Sequence, residues 1–134
     1  MQQDGKSATG KIKAINTQNA PQPIGPYSQA IEHGGLIYCS GQLPINPKTG
    51  ELVGGGMREQ ARQVFENLAA VLAAAGSGPE KALKVTVYMA DLGKFAQLNE
   101  VYAEYFTGKP ARSTVQVAGL PKGAEVEVDA IAAK

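Results

Sequence analysis

The sequence predicts an α+β fold, a mixed β-sheet with two helices packed on one face. Three observations predict it. Two segments, 57–75 and 95–106, repeat apolar residues on a 3.6-residue period. Shorter segments carry strand signals, most of them alternating apolar and polar residues. The two kinds follow one another in the order β, ββ, α, β, α, β, β, in a chain of 134 residues that is 43% hydrophobic and 19% charged. That length makes about one domain and buries roughly two thirds of the surface of its unfolded chain.

Residues 1–10 (MQQDGKSATG) are polar and turn-rich and read as a mobile extension, with a single domain over 11–134. Lys11–Ile15 alternates charged and apolar positions and reads as a short strand. Asn16–Pro26 holds three prolines and reads as a defined loop. Ser28–Glu32 and Leu36–Gly41 flank Gly34-Gly35, a two-residue hairpin signal, because such turns need positive φ. Gln42–Met57 is rich in proline and glycine and reads as a surface connection.

The clearest helix follows. Met57, Ala61, Val64, Phe65, Leu68, Val71, Leu72 and Ala75 form one apolar face, with Arg58, Glu59, Arg62, Glu66 and Asn67 largely off it and Gly76 as the stop. Leu83–Met89 alternates, with Leu83, Val85, Val87 and Met89 on one side. Asp91 is the expected N-cap of a second helix, whose stripe is Phe95, Leu98, Val101, Tyr102, Tyr105 and Phe106 and which Gly108 and Pro110 end. Ser113–Ala118 is β-branched and alternating. Glu125–Ile131 places Val126, Val128 and Ala130 on one face and Glu125, Glu127 and Asp129 on the other. The second sheet face, with Thr86, Tyr88, Thr114 and Gln116, is left to water or another subunit, so self-association is expected.

Thirteen Lys and Arg oppose twelve Asp and Glu, a net charge of +1. That balance carries no footprint for phosphate backbones and argues against a dedicated nucleic-acid binder or a polybasic membrane anchor. The single cysteine, Cys39, rules out an internal disulfide and a CxxC site; the single histidine, His33, rules out a two-histidine metal site. No apolar run is long enough to span a bilayer, and 1–10 lacks the apolar segment of a secretory signal, so the cytoplasm is the expected compartment. Gly54-Gly55-Gly56 lacks the Lys-Ser/Thr of a P-loop, and no GxSxG or HExxH motif is present. Cys39 and His33 fall on different pairs of the hairpin, and Cys39 reads as a small buried hydrophobe.

Three residues stand out for their chemistry. Arg112 follows Pro110-Ala111 where a loop enters a strand, and guanidinium grips a carboxylate through a fixed fork. On composition alone, a surface arginine paired with any acid is the favoured reading. Glu127 shares a face with Glu125 and Asp129; if desolvated there, its pKa rises toward the range useful for proton transfer, while a solvated acidic face is the alternative. Tyr27, in Gly25-Pro26-Tyr27-Ser28, reads either as a core aromatic or as a polar tip in a pocket.

Several motifs in order then carry a resemblance. They are Ile24-Gly25-Pro26-Tyr27-Ser28-Gln29-Ala30, Ser40-Gly41-Gln42-Leu43-Pro44, Asn46-Pro47-Lys48-Thr49-Gly50, Phe95-Ala96-Gln97-Leu98-Asn99, Pro110-Ala111-Arg112-Ser113, Leu120-Pro121-Lys122-Gly123 and Val126-Glu127-Val128. Over 11–132 the chain resembles the Rid family of reactive-intermediate deaminases, whose older names are L-PSP endoribonuclease and translation-initiation inhibitor. The resemblance implies a chorismate-mutase-like fold and a homotrimer with sites between subunits. It implies hydrolysis of 2-imino acids and their enamine tautomers, such as 2-iminobutanoate and 2-iminopropanoate, to 2-keto acids and ammonia, with no cofactor or metal. Residue by residue, it implies that Arg112 binds the substrate carboxylate and Glu127 activates water. Tyr27 would line the cleft, Ser40 and Gly41 would contact the ligand, and Asn99 would stand near it. Thr114 stands where the best-known deaminases have a cysteine, and its hydroxyl is expected to serve as a hydrogen-bond donor. Lys109, in a shortened connection, replaces an aromatic residue at the cleft rim. The rival functions are a non-catalytic carboxylate-binding regulatory trimer and a ribonuclease or translation inhibitor.

Overall fold

The structure, a computed structural model, describes residues 10–134. The expected extension 1–10 therefore lies, Gly10 apart, outside the described residues. Period-two alternation becomes β1 (Lys13–Ile15), β2 (Ala30–His33), β3 (Leu36–Gln42), β6 (Ala82–Met89), β7 (Ala111–Gln116) and β8 (Val126–Ala133). The two helical stripes become α1 (Met57–Ala74) and α2 (Phe95–Tyr105). The six strands form one sheet in the order β1-β2-β3-β8-β6-β7. Parallel pairing occurs only between β6 and β7, which α2 connects; the other neighbours are antiparallel. The β2–β3 turn closes on the pair His33–Leu36, with Gly34 at φ 61° and Gly35 at φ 81°, the left-handed values that make glycine the fitting residue at both positions.

One face of the sheet is the core. Val64, Phe65, Leu68, Val71 and Leu72 of α1 and Leu98 and Val101 of α2 bury against Ile37, Val85, Val87, Met89, Val126 and Val128. Phe65 meets Tyr102 and Phe106 of the second helical segment edge-on, with centroids 5.8 and 5.4 Å away, which ties the helices together as well as to the sheet. Asp91 caps a 3₁₀ turn (Leu92–Lys94) that leads into α2: its carboxylate accepts from the Gly93 N–H at 2.8 Å. No helix among the described residues is long and apolar enough to cross a membrane.

The structure corrects four expectations. The 42–57 connection is not a plain surface loop. It contains a small hairpin, β4 (Ile45–Asn46) with β5 (Glu51–Leu52), and Leu43 and Ile45 bury in a second cluster with Ala124. Asn67 is accordingly not a solvent-side residue of α1. It is 1% exposed and donates to the Leu43 and Ile45 carbonyls at 3.1 and 2.9 Å, because buried irregular backbone needs donors that no strand partner supplies. Leu83 points outward at 49% exposure: β6 gains a residue against β8 between Ala82 and Lys84, and that bulge throws the Leu83 side chain off the core face. Finally, Thr114 and Gln116 lie on the helix-covered face. They pair with Val87 and Met89, while Ser113 and Val115 accompany Thr86 and Tyr88 on the open face.

Candidate functional site

The open sheet face carries a cleft of about 390 Å³ beside the β3–β8 pair, walled by Tyr27, Ser40, Gly41, Leu43, Pro121 and Glu127. Its floor is a register shift. No β3–β8 pair falls between Cys39–Ala130 and Gln42–Val128, so Ser40 and Gly41 bulge together opposite one residue of β8. The Glu127 carboxylate lies over that bulge. A Cβ on Gly41 would sit 2.1 Å from Glu127 Oε2, so Gly41 is glycine for space rather than for backbone freedom.

Ser40 is held by the neighbouring loop, its Oγ donating to the Ser28 carbonyl at 2.6 Å and its N–H to the Gln29 carbonyl at 3.0 Å. Gln29 is a scaffold that sequence reasoning missed. Buried at 1% exposure, its amide accepts from the Thr17 N–H at 2.7 Å and donates to the Thr17 and Pro21 carbonyls at 3.0 and 2.9 Å. It pins the proline loop that delivers Tyr27 to the cleft mouth, where the Tyr27 hydroxyl accepts from the Ile24 N–H at 3.3 Å.

Of the three acids expected in one row, two have partners. Glu125 pairs with Lys94 at 2.6 Å, and Asp129 accepts from the Tyr88 hydroxyl at 3.0 Å. Glu127 has neither an ion pair nor a hydrogen bond among the described residues. Partial burial pushes its carboxyl above the ordinary glutamate value, and the Asp129 charge adds to the rise. The folded chain therefore holds a proton on Glu127 over a pH range where the unfolded chain has lost it, so stability falls as pH climbs above 4.5 through the raised pKa. Once the pH has passed that raised pKa, the cost is fully present. Glu127→Gln is expected to melt above the parent protein at pH 7, with the gap closing below pH 4.5; a variant that melts lower at pH 7 contradicts the desolvation account. Gly41→Ala tests the geometry separately. The displaced atom ends a flexible side chain, so the melting temperature should hold, while any activity that depends on the placed carboxylate falls about tenfold or more.

Arg112 lies on the other face. It pairs across β6–β7 with Val85, a core residue, whereas Glu127 pairs across β6–β8 with Tyr88, and adjacent residues of β6 alternate in direction. The guanidinium carbon stands 4.5 Å from the Tyr102 ring centroid and 5.3 Å from that of Phe95, a cation–π cradle supplied by α2. It makes no ion pair among the described residues. Burial pushes the Tyr102 phenol up, and the adjacent Arg112 charge opposes the rise. Phe95, Asn99 and Tyr102 follow one another at helical spacing on one stripe, so Asn99 belongs to the Arg112 side. Thr114, two residues along β7, shares that side as well. The cradle was hidden in the sequence because Phe95 and Tyr102 also satisfy the apolar stripe; Phe95 is nevertheless 39% exposed.

The seven candidate residues thus form two groups. Tyr27, Ser40, Gly41 and Glu127 surround one cleft. Arg112, Asn99 and Thr114 lie across the sheet from it. Within one chain the sheet stands between Arg112 and Glu127. Cys39 takes the bland role expected of it, buried with its thiol pushed up to about 12. His33 lies on the exposed hairpin with its Nδ1 3.1 Å from the Lys11 carbonyl oxygen.

The comparisons with known proteins agree on one kinship. Residues 17–134 match the family described as endoribonuclease L-PSP. A RutC family protein of Pyrococcus horikoshii is 54% identical over 123 residues, 91% of this chain and 98% of its own. The mouse protein named 2-iminobutanoate/2-iminopropanoate deaminase is 48% identical over 121 residues, 90% of each chain. The solved structure of YyfA from Yersinia pestis, a protein of the conserved Rid family, superposes with a TM-score of 0.89 at 49% identity, covering 92% of this chain and all of that one. Escherichia coli TdcF, solved with bound serine, gives 0.86 at 44% identity over 91% of this chain and 98% of its own.

Proposed function

Because this chain belongs to the endoribonuclease L-PSP family, in which the Rid proteins stand, we propose that it hydrolyses short 2-imino acids to 2-keto acids and ammonia. The observation that carries the reading is the pair of unanswered charges. Arg112 and Glu127 each lack an ion-pair partner among the described residues, and each stands in a cleft of small-molecule size. The mouse deaminase and the serine-binding relative support a substrate of this class, a small molecule with a carboxylate beside a nitrogen-bearing carbon.

Arg112 grips the carboxylate with its planar fork, steadied by the two aromatic rings. That contact sets the imine carbon beside a water held at Glu127. Glu127 takes a proton from the water as its oxygen bonds to the imine carbon and the C=N electrons pass to nitrogen. Glu127 passes that proton to the nitrogen, the hydroxyl of the resulting carbinolamine gives up a second proton to it through Glu127 as the carbonyl forms, and the C–N bond breaks to release ammonia. Positioning and preorganised charge supply the acceleration; no covalent enzyme intermediate is needed.

The two groups come together in a homotrimer, one subunit giving Arg112, Asn99 and Thr114 and its neighbour giving Glu127, Tyr27, Ser40 and Gly41. An apolar row across the open face, Ile31–Tyr38–Ile131 in register, supports that face as the contact, and Tyr38 alone is 42% exposed. The test generates 2-iminobutanoate in situ with threonine dehydratase and follows 2-oxobutanoate release. The expected result is faster release with this protein; an unchanged rate with folded, assembled protein refutes the deaminase reading.

A further inference from the structure

A pocket of about 440 Å³ opens where α2 ends and β7 begins, lined by Tyr102, Phe106, Lys109, Pro110 and Arg112 among others. Two cations line it and no carboxylate does. Neither cation has an ion-pair partner among the described residues, whereas Arg58, Arg62, Lys94 and Lys134 each pair with a glutamate. The Tyr102 hydroxyl in the same lining is buried without a hydrogen-bond partner. An anion entering this pocket meets two cations and no competing carboxylate in the lining.

Lys109 adds a second line of argument. Its backbone sits at φ 53°, in the left-handed region that a side chain disfavours and glycine takes without penalty. Its N–H donates to the Phe106 carbonyl at 3.1 Å and closes the turn into Pro110. A strained non-glycine residue at a ligand cleft points toward a role for its side chain.

A single carboxylate answers the Arg112 fork and leaves the Lys109 ammonium unanswered. We infer that this site takes 2-imino acids bearing a second carboxylate ahead of uncharged alkyl ones, with Arg112 on the α-carboxylate and Lys109 on the side-chain carboxylate. The two cations stand three positions apart in sequence, at most about 10 Å of extended chain, and the flexible lysine stem brings that span within reach of a short diacid. Lys109 makes and breaks no bond in this scheme; it sets which substrate binds. The inference rests on Arg112 being the carboxylate anchor of the proposed deaminase.

Calorimetric titration with two stable keto-acid products, 2-oxoglutarate and 2-oxobutanoate, tests it. The parent protein is expected to bind 2-oxoglutarate about fivefold more tightly, the scale of one partly exposed ion pair, with the ratio shrinking as salt rises. Lys109→Met should bring the ratio to about one and Lys109→Arg should keep it, as expected when charge rather than stem packing carries the contact. Equal affinities in the parent, or a preference that survives Lys109→Met, overturn the inference. Turnover of 2-iminobutanoate in the same preparations separates the two claims. Selective diacid binding without turnover supports the inference and removes the deaminase reading; turnover without a diacid preference does the reverse.

Discussion

Arg112→Lys is expected to lower kcat/KM for 2-iminobutanoate hydrolysis by about 100-fold or more, even though it keeps the positive charge. A charge-assisted hydrogen bond contributes roughly 1.5–3 kcal/mol, and an ammonium replaces the paired, coplanar bonds of the fork with a single point contact. The rings of Tyr102 and Phe95 deepen the difference. They match a flat guanidinium, while a lysine stem reaches less far and carries its charge at a tip that water solvates more strongly. The fold should tolerate the change, since Arg112 makes no ion pair among the described residues and is the second residue of an edge strand. The measurement is the coupled imine assay beside circular dichroism and light scattering. Near-parental kcat/KM in a folded, assembled variant would show that charge alone suffices and that the fork has no part in binding.

Arg112→Ala and Glu127→Gln should each be inactive alone and active when mixed. In the homotrimer proposed above, every site draws its arginine from one copy and its glutamate from the next, the sheet separating the two within a chain. Co-refolding the two variants in equal amounts assorts subunits at random, so about one site in four receives both parental residues and about a quarter of parental activity returns. A site contained within one chain would return none, because no chain in the mixture has both groups. This experiment reads the division of labour directly, without a ligand-bound structure, and a mixture that stays inactive despite proven subunit exchange removes the shared-site proposal.

How much of this was legible beforehand follows from the range of each interaction. The strand pattern Val126–Glu127–Val128–Asp129–Ala130 was readable because period-two sidedness needs only neighbours in sequence, and its inward and outward positions stand as expected. The Phe65 face of α1 was readable for the same reason, at a period of 3.6. Asn67 was misread because its partners, the Leu43 and Ile45 carbonyls, belong to a connection 24 and 22 residues away. Leu83 was misread because a bulge is a property of two strands, not of one. In Ala111–Gln116 the side chains are small or polar on both parities, so nothing local told Arg112 and Thr114 which face they take, and the wrong choice for Thr114 was as consistent as the right one.

By itself, the sequence determined the α+β order, the limits of the first helix to within a residue or two, the Gly-Gly turn and the family, since each rests on local periodicity, backbone sterics or ordered motifs. Only the tertiary structure decided that Gly41 leaves room for the Glu127 carboxylate, that Arg112 lies between two aromatic rings, and that these two charges occupy opposite faces. The physical reason is that sheet register and strand order are set by packing of the whole core, and a change of one residue in register exchanges the two faces of a strand.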